Sequence, residues 1–190
     1  AAQDAAGNLG PRTATLATAT SFAALVNFPL ERAGGTPSSP VVADLDGDGE
    51  PEIVIGGEEI YVIHADGSEY FDGDLDSRTL GVLTRTNHAG FWSTPAVADL
   101  DGDGTPEIVA AGYSDGQLYV FTREGVVKPG WPRRIADVSA GCACASAWAS
   151  PCLADVDGDR KLEIFIPGGR SLYAFHDDGS ELRDGDANPA

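Results

Sequence analysis

Apolar residues along the chain fall in short runs separated by glycine and aspartate. In the first repeat, Val41-Val42-Ala43, Ile53-Val54-Ile55 and Ile60-Tyr61-Val62-Ile63 follow one another with polar segments between them. Such runs of β-branched and aromatic residues indicate strands, and Asp-Gly turns indicate antiparallel hairpins. No segment keeps the 3.6-residue apolar spacing of a helix over a helical length. The pattern therefore predicts an all-β chain of short antiparallel strands.

The same order of elements occurs three times. Asp44, Asp99 and Asp155 occupy equivalent positions, 55 and 56 residues apart. Each copy has a Ser/Thr-Pro strand, an acidic loop, two apolar strands and a glycine-bearing turn. A fourth, more polar strand is expected after that turn, near residues 68–71, 126–128 and 180–183. Strands that are apolar on both faces fit sheets packed face to face, and four-stranded sheets at this period predict the blades of a β-propeller.

Each copy carries an acidic loop with carboxylates at positions 1, 3, 5 and 9: loop 1 (residues 44–52), loop 2 (99–107) and loop 3 (155–163). Acids at alternate positions of a tight loop supply the oxygens that Ca²⁺ prefers, and the backbone carbonyl of position 7 adds another. The predicted ligands are Asp44, Asp46, Asp48, Glu50 and Glu52 in loop 1, Asp99, Asp101, Asp103, Thr105 and Glu107 in loop 2, and Asp155, Asp157, Asp159, Lys161 and Glu163 in loop 3.

The loops differ from an EF-hand, which has a bidentate acid at position 12 between two helices. Position 12 here is Ile55, Ala110 or Ile166, and the flanking segments are strand-like. We therefore expect strand–loop–strand sites that hold about three Ca²⁺ ions, one in each loop. The alternative is that the loops are solvated turns.

The D-x-D-x-D-G-x-x-E loops and the Ser/Thr-Pro strands before them resemble the FG-GAP / VCBS repeat family. The resemblance covers residues 38–186. It implies calcium-binding propeller blades like those of integrin α-subunits and of secreted bacterial proteins, with a role in adhesion or in protein or carbohydrate recognition. Loop 3 departs from the family pattern, because Arg160 replaces the expected glycine and Lys161 follows it. We therefore expect loop 3 to be the weakest ion site.

The repeats divide the chain into an Ala/Thr-rich N-terminal segment or linker (1–27), three blades (28–74, 75–130 and 131–186) and the start of a continuation (187–190). Propellers close with about four to eight blades, so three blades do not close a ring. We expect the chain to be a fragment of a larger propeller. The alternatives are assembly with further copies or partners, and an open stack of sheets.

The net charge of −18 reflects the acidic loops, which hold 13 of the 30 acidic residues, five in loop 1 and four in each of the others. No basic stripe is present, so the charge argues against nucleic acids and anionic membranes as partners. No run of apolar residues is long enough to span a membrane. Weak calcium loops fill only where free calcium is high, so we expect an extracellular or cell-surface location in a bacterium, with the periplasm as an alternative.

The three cysteines cluster in one segment. Cys142 or Cys144 is expected to pair with Cys152, which leaves one thiol free or paired outside the chain. A structural zinc site is disfavoured because no fourth ligand lies at a suitable spacing. The alternative is that the cysteines are small buried apolar residues.

The segments between blades, residues 72–93 and 130–149, differ most between repeats and are expected at the rim opposite the loops. Variable loops on a rigid scaffold are where binding residues concentrate. The candidate ligand rim consists of Arg85, Asn87, His88, Trp92 and Trp148. Its two tryptophans would form an aromatic platform for a sugar or peptide, or would pack blade against blade.

No nucleophile elbow, phosphate loop or dinucleotide fingerprint occurs, and His64 and His176 share a repeat position that suggests a structural role. The sequence therefore predicts a non-catalytic, calcium-binding module for adhesion or recognition, with an unidentified protein or carbohydrate ligand. One alternative is an accessory or body domain of an extracellular polysaccharide-degrading enzyme. Another is a subunit of a surface appendage polymer.

Overall fold

The computed structural model describes residues 38–76, 78–86, 90–135, 148–168 and 171–182, which form ten strands. The strands are β1 (Val41–Ala43), β2 (Glu52–Gly56), β3 (Ile60–Ile63), β4 (Ala96–Ala98), β5 (Glu107–Ala111), β6 (Gln117–Phe121), β7 (Arg133–Arg134), β8 (Cys152–Ala154), β9 (Glu163–Gly168) and β10 (Ser171–Phe175). These residues contain no helix, and hence none with the length and apolar character of a membrane span. The predicted all-β class is confirmed.

The strands form three antiparallel sheets in chain order. Sheet 1 is β1-β2-β3, sheet 2 is β4-β5-β6-β7 and sheet 3 is β8-β9-β10. The first two strands of each sheet are joined by an acidic loop, with registers that place Val42 opposite Ile53 and Val97 opposite Ile108. In sheets 1 and 2, residues 57–59 and 112–116 join the second strand to the third. Each acidic loop is thus held at both ends by paired strands.

The outer edge of the sheets differs from the predicted fourth strand. Residues 68–71, 126–128 and 180–183 were expected to form that strand. In the part of these segments that the structure describes, which ends at residue 182, only isolated bridges occur, such as Ile63 with Glu69. The other half of the third strand pairs with a later part of the chain. In sheet 2 this part is β7, and in sheet 1 it is Val82, which bridges Tyr61. The chain leaves the sheet after the turn and returns further on, so the edge is built from two pieces.

The core lies between the sheets, which explains why strands are apolar on both faces. The middle strand β5 is buried throughout. Its residues Ile108 and Ala110 belong to the apolar cluster shared with sheet 1, whereas Val109 and Ala111 belong to the cluster shared with sheet 3. Successive side chains of a strand point to opposite faces, so β5 contributes to both clusters. The predicted face-to-face packing is present.

The first strands of the sheets lie side by side, because β4 contacts both β1 and β8. Two hydrogen bonds connect the residues before the prolines. The amide of Ser39 donates to Thr94 Oγ1 at 3.2 Å, and the amide of Thr94 donates to Ser150 Oγ at 3.1 Å. The Ser/Thr-Pro motif therefore links each repeat to the next. This role was not anticipated from the sequence.

The described residues contain three packed sheets and no closed ring of sheets. Propeller closure and the division into blades at 28–74, 75–130 and 131–186 stay predictions. The segments 1–27 and 187–190 lie outside the described residues.

Candidate functional site

The three acidic loops are organised by the same backbone hydrogen bonds. In loop 1, both oxygens of Asp44 accept amides, from Gly47 at 2.7 Å and from Gly49 at 3.0 Å. The first aspartates of loops 2 and 3 accept the amides of positions 4 and 6 in the same way. A side chain that bonds to backbone amides further along its own loop fixes a tight turn. Position 1 therefore shapes the loop as well as offering carboxylate oxygens.

The aspartates at positions 3 and 5 repeat this arrangement. Asp46 accepts the amide of Asp48 at 3.1 Å, and Asp48 accepts the amide of Glu50 at 2.7 Å. Loops 2 and 3 contain the equivalent bonds. Position 7 takes part through its amide, which explains why its side chain differs between the loops.

The glutamate at position 9 joins the two ends of each loop. Glu52, Glu107 and Glu163 are at most 3% exposed. In each case Oε2 accepts the amide of position 2, at 2.8 Å in loop 1 and 2.9 Å in loops 2 and 3. The other carboxylate oxygen, Oε1, is left for a different partner. This glutamate therefore closes the loop and presents one buried oxygen.

Carboxylate oxygens converge in all three loops. In each of the following groups, the candidate ligand atoms lie within 4.8 Å of one another: Asp44, Asp46 and Asp48; Asp99, Asp101 and Glu107; Asp155, Asp157 and Asp159; and Asp157, Glu163 and His176. Hard carboxylate oxygens suit Ca²⁺ or Mg²⁺. The carboxylates of Glu50, Glu52 and Asp103 are in none of these groups. The calcium assignment itself stays a prediction.

A buried oxygen in loop 3 fits a cation. Oε1 of Glu163 has no hydrogen-bond partner among the described residues, although Nδ1 of His176 lies 3.4 Å away. A buried carboxylate oxygen without a partner is unfavourable, so such atoms usually face a bound ion or water. The donor set of loop 3 therefore fits a divalent cation.

Arg160 adopts the conformation that the family pattern assigns to glycine. Its φ is 76°, close to the 89° of Gly49 and the 90° of Gly104 at the same loop position. Arginine therefore reaches in loop 3 the backbone geometry that glycine adopts in the other two loops. The neighbouring ammonium of Lys161 contacts Asp177 at 3.0 Å, outside the loop, and this hydrogen bond raises the pKa of Lys161.

The partner of the position-9 glutamate differs between loops. Nδ1 of His64 lies 3.2 Å from Oε1 of Glu52, and His176 approaches Glu163 in the same way. Both histidines, read from the sequence as structural, thus stand beside predicted ligands. Loop 2 has no such histidine, and the ammonium of Lys128 lies 2.8 Å from Oε1 of Glu107.

Lys128 also dominates the electrostatics of loop 2. Its hydrogen bond to Asp101, at 2.7 Å, lowers the pKa of that carboxyl. Burial raises the pKa of Glu107, and hydrogen bonds from Lys128 and the amide of Leu100 offset this only in part. Burial acts to lower the pKa of Lys128, but its bonds to Asp101 and Glu107 outweigh burial and the net shift is upward.

Three aromatic side chains come together on the predicted ligand rim. Tyr113 makes edge contacts with Trp92, with ring centroids 6.3 Å apart, and with Trp148, with centroids 4.9 Å apart. Trp92 is half-buried and its indole lies against Gly90, where a Cβ would clash with it. Trp148 is 64% exposed. Tyr113 was missed by the sequence analysis because it lies in a short turn, away from the variable segments.

The other rim and cysteine predictions are only partly covered. Arg85 is exposed, whereas Asn87 and His88 lie outside the described residues. Cys152 in β8 is exposed and forms no disulfide with another described residue. Its candidate partners Cys142 and Cys144 also lie outside the described residues, and the pairing stays a prediction.

Three comparisons place the chain among known proteins. Residues 99–166 match a family model described as an FG-GAP-like repeat. Phosphatidylinositol-glycan-specific phospholipase D from Bos taurus is 28% identical over 193 residues, which cover 86% of this chain and 22% of that protein. The crystal structure of the V. cholerae biofilm matrix protein Bap1 aligns with a TM-score of 0.52 and 24% identity, over 82% of this chain and 26% of that chain.

The likeness to the biofilm matrix protein concerns the fold alone, and the chain spans about a quarter or less of the length of either protein. The matched segment runs from loop 2 through loop 3 into β9. It therefore contains the two acidic loops and the strands that position them. The recognition drawn from the sequence is confirmed for this segment: residues 99–166 match the FG-GAP-like repeat family.

Proposed function

We propose that the chain is a non-catalytic repeat module outside the cytosol, in which calcium clamps the acidic loops and the opposite rim recognises a ligand. The observation that supports this best is the convergence of carboxylate oxygens, within 4.8 Å of one another, in the acidic loop of each of the three repeats. A single acidic cluster on a surface is common. Three clusters with the same internal hydrogen bonds favour a shared ion-binding role.

The chain's own residues prepare the clamp. Positions 1, 3, 5 and 9 would hold the ion with their carboxylates and position 7 with its carbonyl. A bound Ca²⁺ would neutralise the repulsion between these carboxylates. The amides that bond to the aspartates already hold the loop in its closed form, so little ordering remains to be done on binding. The position-9 glutamate is the first residue of the second strand of its sheet, so an ion bound to it would also fix the start of that strand.

The aromatic array of Trp92, Tyr113 and Trp148 supports the recognition part of the proposal. Aromatic side chains bury much area with little loss of side-chain freedom, and large exposed aromatics often mark binding surfaces. The array connects two repeats, since the tryptophans precede β4 and β8. A sugar or peptide is the proposed ligand. An extracellular setting is favoured because weak calcium loops fill only where free calcium is high.

A second candidate is a domain of a secreted enzyme whose chemistry lies elsewhere in a longer protein. The identity of 28% with a phospholipase D favours it, because the chain matches 22% of that protein. A polysaccharide-degrading enzyme and a surface appendage polymer are two further proteins that could use the same repeats. A catalytic domain in the same polypeptide would favour the enzyme, and extended polymers in electron micrographs would favour the appendage.

A thermal melt tests the calcium clamp. The chain is heated in EGTA, in millimolar Ca²⁺ and in millimolar Mg²⁺, beside a variant with Asp48→Asn, Asp103→Asn and Asp159→Asn. Binding to the native state alone stabilises it by about 2.7 kcal/mol per site at a hundredfold excess over Kd. We expect a rise in Tm that is specific to calcium and lost in the variant. Equal melting temperatures in EGTA and calcium would refute the clamp.

A further inference from the structure

The three loops differ in one respect that the family pattern does not predict. In loops 1 and 3 an imidazole stands beside the buried oxygen of the position-9 glutamate. In loop 2 the histidine is replaced by Thr122, and the ammonium of Lys128 takes that place. Among the described residues, loop 2 therefore has an ammonium in contact with its predicted carboxylate ligands, whereas the guanidinium of Arg123 in loop 1 donates to the backbone carbonyl of Asp46 and not to a carboxylate of that loop.

Lys128 is held in place from both ends. Its backbone amide donates to the carbonyl of Val120 at 2.8 Å, which ties it to β6. Its ammonium donates to Asp101 Oδ2 at 2.7 Å and to Glu107 Oε1 at 2.8 Å. The lysine side chain is 16% exposed and that of Glu107 is 4% exposed. This burial distinguishes the contact from a mobile surface ion pair.

The ammonium contacts two of the three residues whose oxygens converge in loop 2, namely Asp101 and Glu107, with Asp99 as the third. It donates a hydrogen bond to Oε1 of Glu107, whereas the equivalent oxygen in loop 3, Oε1 of Glu163, has no hydrogen-bond partner among the described residues. A divalent ion entering loop 2 must either displace the ammonium or stay close to it. Two like charges at that distance repel each other, and displacement exposes a half-buried cation.

We propose that Lys128 is a tethered counter-ion of loop 2, which keeps this loop closed without calcium and makes it the weakest of the three calcium sites. This inference rests on the proposed calcium binding. It reverses the ranking expected from Arg160 and Lys161, because Lys161 turns away to Asp177 whereas Lys128 turns into its loop. Sheet 2, packed between the other two, would then keep its loop when calcium is scarce.

The test compares the wild-type chain with Lys128→Met, which keeps an apolar stem and removes the charge. Calcium is titrated by calorimetry, and urea unfolding is followed in EGTA. We expect the calcium affinity of one site to rise about tenfold or more. The tenfold lower bound assumes that the repulsion between the Lys128 ammonium and the calcium ion is screened almost as strongly as in water. In EGTA the variant is expected to unfold at lower urea, because Asp101 and Glu107 lose their partner. Saturating calcium should restore the stability.

Two controls assign the effect. Arg78→Met changes the net charge equally, but Arg78 pairs with Asp76 on the surface and should leave every calcium affinity unchanged. Adding Asp103→Asn to Lys128→Met disables loop 2 and should abolish the rise in affinity. Adding Asp48→Asn instead disables loop 1 and should leave the rise intact.

The outcomes separate the two proposals. If calcium binds but Lys128→Met changes no affinity, the tethered counter-ion is refuted and the calcium clamp stands. If the variant matches the wild type in EGTA, the lysine does not hold loop 2 closed and the inference also fails. If neither chain binds calcium, the proposed function fails and the inference fails with it.

Discussion

Replacing Arg160 by glycine is expected to stabilise the chain in the absence of calcium. The left-handed conformation of this residue, with φ of 76°, is one that arginine adopts at a penalty of about 1–2 kcal/mol and glycine at almost none. Glycine also makes the unfolded chain more flexible, which offsets about 0.5–1 kcal/mol. The net gain is about 0.5–1 kcal/mol, or a rise in Tm of roughly 1–4 °C for a chain of this size.

Gly104→Arg is the matched reverse experiment. Gly104 holds the same position in loop 2 with φ of 90°, and a Cβ there would meet no atom within 4 Å. The Cβ itself therefore meets no steric clash, and the backbone penalty is the main cost. We expect Gly104→Arg to destabilise the chain by about the amount that Arg160→Gly stabilises it. Both variants are measured by urea unfolding in EGTA.

Arg160→Ala separates backbone strain from charge. Alanine keeps the left-handed penalty but removes the guanidinium beside loop 3. We expect the stability of Arg160→Ala in EGTA to stay close to that of the wild type. The calcium affinity should rise in both Arg160→Ala and Arg160→Gly, because both remove the positive charge beside loop 3. The reasoning would be refuted if Arg160→Gly failed to stabilise the chain, or if Arg160→Ala stabilised it equally.

Three further predictions concern the packing of the repeats. Thr94→Val removes the hydroxyl that links the first strands of sheets 1 and 2 and should lower the free energy of unfolding by about 1 kcal/mol, measured with urea; Thr94→Ser should retain it. Gly168→Ala places a Cβ against the backbone carbonyl of Ile135 and should prevent native packing, which would be seen as a loss of the near-ultraviolet circular dichroism signal. The control Gly47→Ala has room for its Cβ and should fold. Tyr119→Phe loses the 2.6 Å hydrogen bond to Asp115 and about 1 kcal/mol, a loss that unchanged urea unfolding would contradict. Burial and that hydrogen bond raise the pKa of Tyr119. The contribution of Tyr119 to the free energy of unfolding is therefore fully present below about pH 10, the pKa of tyrosine in the unfolded chain, and is lost as the pH rises from there towards the raised pKa. Between about pH 10 and pH 11 the wild type should lose more stability than Tyr119→Phe.

The strands and loops of each repeat were predictable because they depend on patterns between residues that are close in sequence. The 55- and 56-residue spacing, the apolar runs and the glycines located the hairpins and the acidic loops. The alignment of the repeats likewise showed that Arg160 stands at the loop position of Gly49 and Gly104. These properties depend on neighbours along the chain, which the sequence displays directly.

The features that escaped prediction depend on contacts between distant residues. Lys128 reaches Asp101 and Glu107 across 27 and 21 residues, and nothing in its own segment marks it as a partner of loop 2. The split outer edge likewise arises because β7 returns to a strand that the chain had already left. The absence of a histidine at Thr122 was a visible signal that loop 2 is unlike the others. Only the structure shows that Lys128 takes the place of the histidine in loop 2.

The number of calcium ions bound per chain tests the central claim most directly. Equilibrium dialysis with radioactive calcium counts the ions on the wild type and on Asp48→Asn, Asp103→Asn and Asp159→Asn, each made singly. The account predicts about three ions on the wild type, one fewer on each variant, and no displacement by equimolar Mg²⁺. Wild-type binding no greater than that of the triple variant would contradict it and leave the acidic loops as solvated turns.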